Sequence, residues 1–260
     1  MSKMFDSLRR AELARRRRNG EAGESRAEAA LAASETLSAP SAPSRNGTGD
    51  LPEEFVRELG MLRNSLQAAF PGKERRSLVF TSASHGEGVT TLALNYARMV
   101  ALGGLERVLM VELNARRPSL FWRLGLTSEA GLTHYFKERR PLSSVAQTQS
   151  TYGFDVVHVG EKDPAQVQLH LDEQFPRFLA EASARYQTII IDAPPVALAP
   201  ETPPLTAFVD GVVMVVHCGK TRREIVQRSI HMIEQFEGSI VGIVLNRKKY
   251  YIPDFIYQRV

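Results

Sequence analysis

Residues 77–99 read SLVFTSASHGEGVTTLALNYARM, and the order of residue types in that stretch decides the fold. Leu78, Val79 and Phe80 form the apolar run of a buried strand, and Leu92, Leu94, Tyr96, Ala97 and Met99 follow at helical spacing. Between them lies a small turn built on Gly86 and Gly88. Strand, glycine-containing turn, helix is the layout of a phosphate-binding loop, in which backbone N–H groups point inward and the helix adds its positive end. The full pattern G-x-x-x-x-G-K-[ST] falls on residues 83–90, ASHGEGVT. Gly88 and the Thr90 hydroxyl are kept, whereas the lysine that would reach the outer phosphates is Val89. Standing alone, the turn has a second reading as simple turn geometry.

The chain of 260 residues is long enough for one large domain or two small ones, and 43% hydrophobic residues are ordinary for a packed core. No apolar run reaches bilayer-spanning length and the N-terminus lacks an apolar signal segment, so a cytoplasmic protein is expected. A single cysteine, Cys218, excludes an intramolecular disulfide and has no metal-type spacing around it. It reads as a packed thiol. The net charge of +4 is concentrated in residues 1–18, which hold seven Lys/Arg against two Asp/Glu. The rest is close to neutral, so no nucleic-acid-binding face is expected on the folded part.

Along the chain, residues 1–18 place Met4, Leu8 and Ala11 at helical spacing among arginines. This predicts a basic amphipathic helix, either solvated or docking on an acidic partner or an anionic membrane surface. Residues 19–50 are rich in Ala, Ser, Gly, Pro and Glu and read as a flexible, disordered linker. The folded domain is expected over 51–260, opening with a helix after Pro52 that carries Phe55, Leu59, Leu62 and Leu66 and ends near Pro71. Apolar runs recur at 107–112, 154–160, 188–192, 212–216 and 239–245, with helical stretches at 172–184 and 221–236 among them. Alternating strands and helices predict an α/β fold, a parallel sheet with helices on both faces.

Ligands of such sheets gather at the carboxyl ends of the strands. VLMVELNARRPSL ends with Glu112, Asn114, Arg116 and Arg117; TIIIDAPPV ends with Asp192. A carboxylate after a run of isoleucines suits a magnesium-facing role, and it equally suits a cap on the next turn.

The three segments together resemble the Walker A, A′ and B motifs of bacterial tyrosine kinases. This is the capsular and exopolysaccharide family related to division-site and plasmid-partition ATPases, which reads roughly TSxxPGEGKST, LLIDADLRRPSL and VIIIDTPP. VDGVVMVVHCGKT and VGIVLN extend the resemblance, which covers 51 to about 246. It implies a P-loop NTPase-like fold that binds ATP or ADP with magnesium. By the same resemblance, Gly86, Glu87, Gly88, Thr90, Thr91 and Asn246 are candidate nucleotide contacts, Thr90, Glu112 and Asp192 candidate metal ligands, and Asp192 and Glu112 candidate catalytic groups. Active members carry Glu, Arg and Arg at three-residue intervals on a ring-forming helix; here the positions are Arg57, Gly60 and Arg63. They also end in phosphorylated tyrosines, for which Tyr250, Tyr251 and Tyr257 are candidates, unless Ile252, Phe255 and Ile256 pack this end on the domain.

The departures are Pro to His85, Lys to Val89, and the A′ aspartates to Glu112 and Asn114. Asparagine cannot take a proton, and the missing cation would have neutralised the outer phosphates. The resemblance therefore implies a regulator of exopolysaccharide or capsule synthesis, chain length or export with impaired catalysis. It would dock on a membrane polysaccharide copolymerase at the inner face of the plasma membrane and could self-assemble. Two alternatives remain: an active ATP-dependent tyrosine autokinase, in which Arg116, Arg117 or His85 supplies the charge, and a partition-type ATPase binding DNA or membrane.

Overall fold

The structure, a computed structural model, describes residues 51–104, 106–160 and 164–248. The expected N-terminal helix (1–18), the linker (19–50) and Tyr250, Tyr251 and Tyr257 lie outside the described residues.

The first helix, α1 (Glu53–Ala69), follows Pro52 and has Glu53 and Glu54 in its first turn, where acidic side chains favour the positive helix end. Its apolar residues Phe55, Leu59, Leu62 and Leu66 recur every three or four positions and are all buried. The quoted stretch then forms β1 (Arg76–Ser82) and α2 (Val89–Leu102), separated by the glycine turn. The chain continues through β2 (Val108–Glu112), α3 (Leu120–Leu124), α4 (Leu132–Glu138), α5 (Leu142–Val145), β3 (Gln147–Gln149) and β4 (Phe154–Val157). It closes with α6 (Pro164–Arg185), β5 (Thr188–Asp192), α7 (Thr202–Leu205), β6 (Gly211–His217), α8 (Arg223–Gln235) and β7 (Ile240–Asn246).

These strands make one seven-stranded sheet in the order β3-β4-β2-β5-β1-β6-β7. Every neighbouring pair is parallel except β3 on β4. The antiparallel edge departs from the all-parallel expectation, and its sequence, QTQ, has no apolar run that could have announced it. Successive residues of each strand feed opposite faces. Leu78, Phe80 and Ile190 pack with α1, α2 and α3, while Val79, Ile189 and Ile191 pack with α4, α6 and α8. Helices therefore cover both faces, as the alternation of strands and helices requires.

Two further observations concern helices. The stretch expected from 172 begins at Pro164, a residue suited to the first helical position, where its missing N–H costs nothing. Arg63, the last residue of the ring-forming pattern, is committed inside the chain: Nη2 lies 3.5 Å from Glu106 Oε1, a carboxylate that also pairs with Arg76 at 2.9 Å.

The sheet order places β1 between β5 and β6, and puts the carboxyl ends of β1, β2 and β5 side by side. Glu112 is in register with Asp192, and Asp192 with Phe80. Residues distant in sequence thus meet at the mouth of the glycine turn.

Candidate functional site

The turn between β1 and α2 holds its shape through side chains of its own. Gly86 and Gly88 sit at φ 77° and 94°, a region that residues with a Cβ rarely adopt. A Cβ on Gly88 would lie 2.2 Å from Asn246 Nδ2, so the close approach of β7 to the turn also requires glycine. The buried carboxylate of Glu87 folds back beneath the turn. Its Oε2 accepts the N–H groups of Ala83 (3.0 Å) and Ser84 (3.3 Å), and its Oε1 accepts the hydroxyl of Thr221. Asn246 Nδ2 donates to the Glu87 carbonyl at 2.7 Å and its Oδ1 accepts the N–H of Arg247 at 2.9 Å. An amide has two donors and two acceptor positions, so these two contacts leave one of each unused among the described residues.

Val89, in the lysine position, is 9% exposed and packs into the apolar layer shared by α1, α2 and α3. Neighbouring Thr90 donates its hydroxyl to Asp192 Oδ2 at 2.7 Å. Asp192 is 1% exposed, and its Oδ1 has no hydrogen-bond partner among the described residues. Burial raises its carboxyl to about 7; the Thr90 hydroxyl opposes the rise and the Glu112 charge adds to it. An orphaned buried carboxylate oxygen beside a threonine hydroxyl fits a hydrated divalent cation, which would supply the partner now missing.

Glu112, a candidate metal ligand from the sequence, holds backbone in this structure. Its Oε1 accepts the N–H groups of Ser119 (2.5 Å) and Leu120 (2.9 Å), and its Oε2 accepts that of Val159 (3.4 Å). Both oxygens thus serve the backbone, tying the start of α3 to the end of β2. Burial still pushes its carboxyl above the ordinary value, against those hydrogen bonds. Asn114 Oδ1 accepts the N–H of Arg117 at 3.2 Å.

Four basic side chains surround the mouth. His85 is exposed, yet partial desolvation and the charges of Arg117 and Arg116 hold it below its usual value. Arg116 is paired with Glu201 at 3.4 Å. Arg117 lies on the His85 side. Arg123, on α3, donates from Nη1 to Thr91 Oγ1 at 3.4 Å, and its charge acts on both Asp192 and Glu112. Sequence reasoning missed Arg123, because LFWRL is too short to show a helical period. A cleft of about 220 Å³ adjoins the turn, between Ser84 and His85 on one side and His217, Lys220 and Thr221 on the other. The larger cleft, about 350 Å³, lies at the opposite end of β1 beside Lys73, Arg76 and Asp210. Those cations are already paired with Asp210 and Glu106.

No protein-family model matches the chain. It is similar to tyrosine-protein kinase YwqD of Bacillus subtilis, with 27% identity over 188 residues, covering 72% of this chain and 79% of that protein. Among solved structures it resembles the kinase domain of Escherichia coli tyrosine kinase ETK, with a TM-score of 0.71, 25% identity, and coverage of 77% and 80% of the two chains. Cobyrinic acid a,c-diamide synthase of Mycobacterium smegmatis, bound to an ATP analogue and magnesium, shares the fold alone. Its TM-score is 0.54 at 19% identity, covering 66% of this chain and 72% of that one. With the glycine turn, the strand-end carboxylate and the sheet order already in agreement, this chain is a homologue of the bacterial tyrosine-protein kinases, built on the fold of P-loop NTPases.

Proposed function

We propose that this chain holds a nucleotide but transfers its outer phosphate poorly or not at all, and that it regulates capsule or exopolysaccharide synthesis, chain length or export. The observation that carries the reading is the pairing of a preserved cradle with a lost cation. The turn keeps Gly86, Gly88, Thr90 and Asp192 in place, while Val89 is buried among apolar side chains where the family has lysine. Losing one such electrostatic contact costs about 3–4 kcal/mol in a transition state. Asn114, which cannot accept a proton, removes a base as well.

Asp192 and Thr90 would hold a magnesium ion carried in by the nucleotide, whose charge would neutralise the phosphates. Gly86, Glu87 and Gly88 contribute backbone to the cradle, and Asn246 has a donor and an acceptor left for the base. Calorimetric titration of the full chain with ATP and magnesium, beside a Val89→Lys variant, tests the proposal. Submillimolar binding by the natural chain and tighter ATP binding by the variant are expected. Silence from the natural chain with recovery in Val89→Lys would instead identify a scaffold whose switch is disabled.

Among the described residues no helix is long and apolar enough to cross a membrane. We assign membrane proximity to the basic segment 1–18, whose arginines suit anionic lipid or an acidic face of a copolymerase, with residues 19–50 as the tether. Deleting residues 2–18 is expected to move the protein out of the membrane fraction, and unchanged fractionation would refute the tether.

A further inference from the structure

We infer that Arg123 is a phosphate-contacting residue that stands in for the missing loop lysine, and that it acts on the inner phosphates, so that the site grips a nucleoside diphosphate and gains little from a third phosphate. The inference rests on the nucleotide-holding reading above and adds to it which residue supplies the charge and which phosphates receive it.

Each cation at the mouth has a distinct position. His85 is disfavoured as a cation by desolvation and by the two arginines beside it. Arg116 is bound to Glu201 through two contacts, at 3.4 and 3.5 Å. Arg117 sits toward His85, and its backbone is fixed by Asn114. Arg123 reaches Thr91 on the first turn of α2 and, among the described residues, pairs with no carboxylate. Its guanidinium is therefore available, exposed and within reach of the helix end on which phosphates sit.

The position also selects the phosphates. In loops of this kind the backbone N–H groups cradle the α- and β-phosphates while lysine reaches the β- and γ-phosphates. Arg123 enters beside Thr91, one residue further into α2 than Thr90, which we take as the side of the backbone cradle and hence of the inner phosphates. A planar guanidinium can bind two phosphate oxygens there at once. Val89, in the lysine position, is packed into the core and offers no charge to the outer phosphate.

Glu112 explains how such a short helix holds an arginine in place. Its carboxylate accepts the N–H groups of Ser119 and Leu120, fixing the start of α3 to the end of β2. An aspartate at this strand end, the type found in the resembling family, is one methylene shorter. Glu112 is thus a positioning residue for α3.

The test titrates the full chain with ADP and with ATP, each with magnesium at pH 8, by calorimetry. Emission from Trp122 gives a second readout, since it is the chain's one tryptophan, 73% exposed and adjacent to Arg123. The natural chain should bind ADP and ATP within about threefold of each other, and Arg123→Gln should weaken both by about tenfold or more. Arg123→Lys should keep part of the affinity through its charge, and Arg117→Gln should change it less than about twofold. Matching thermal melts confirm that the variants are folded. Unchanged affinity in Arg123→Gln, a loss confined to ATP, or a loss that follows Arg117 instead would each overturn the role of Arg123 while leaving nucleotide binding intact. Absence of any binding by the natural chain would overturn both.

Discussion

Asp192 has a carboxyl that burial lifts to about 7, with the Thr90 hydroxyl pulling against the rise and the Glu112 charge adding to it. In the unfolded chain the same group titrates near 3.8. The folded state therefore binds the proton more tightly, and the stability this contributes is fully present below the unfolded value and lost as pH rises through about 7. Glu112 is shifted upward as well and acts in the same sense. The nucleotide-free protein is expected to melt progressively lower between pH 4 and 8. Asp192→Asn should flatten that dependence and raise the melting temperature at pH 8 by about 3 °C or more. A variant that melts below the natural chain at pH 8 would contradict the assignment. Because a cation needs the ionised carboxylate, magnesium-dependent binding should weaken by about tenfold per pH unit below 7. At this scale the sequence already named Gly88, Thr90 and Asp192, since a loop pattern and a strand end identify them. It did not reveal that Glu87 would be held by Thr221, because that contact joins two loops far apart in the chain. Nor did it show Glu112 turned onto the backbone of α3.

At the scale of elements, the strands were legible and the short helices were not. The runs RVLMVE, TIIID and VVMVV are apolar between their polar ends because both faces of a central parallel strand are buried, and their observed bounds differ from the runs by one residue at most. The edge strand β3 is polar, and pairing with β4 alone defines it. α3, α5 and α7 have five, four and four residues, too few to display a period. Their positions follow instead from tertiary contacts, such as the grip of Glu112 on α3. The helix α1 illustrates the converse. Its apolar stripe was plain from spacing, yet the ion pair of Arg63 with Glu106 decides what its polar side can do, and that carboxylate lies across the fold. An arginine committed inside its own chain is a poor donor to a neighbouring subunit.

Across the whole molecule, the architecture is that of a P-loop fold, and the proposed loss of catalysis concerns only a charge and a base at the mouth of the glycine turn. Sheet order, helical layers and strand-end carboxylates are those of a P-loop protein, and fold and chemistry are separable because they rest on different residues. The fold depends on buried alternation along seven strands, whereas transfer depends on a few groups aimed at the outer phosphate. Substituting lysine by a packed valine leaves the first untouched and removes part of the second. Restoring the cation alone should tighten ATP without restoring transfer, since Asn114 still cannot accept a proton. The most direct measurement follows the γ-phosphate of labelled ATP in four full-length proteins: natural, Val89→Lys, Val89→Lys with Asn114→Asp, and Asp192→Asn. The account predicts that the natural chain matches Asp192→Asn, and that the doubly restored protein exceeds it by about a hundredfold or more. Phosphate release by the natural chain that Asp192→Asn abolishes would contradict it and establish an active ATPase, and label on Tyr250, Tyr251 or Tyr257 would contradict it and establish an active kinase.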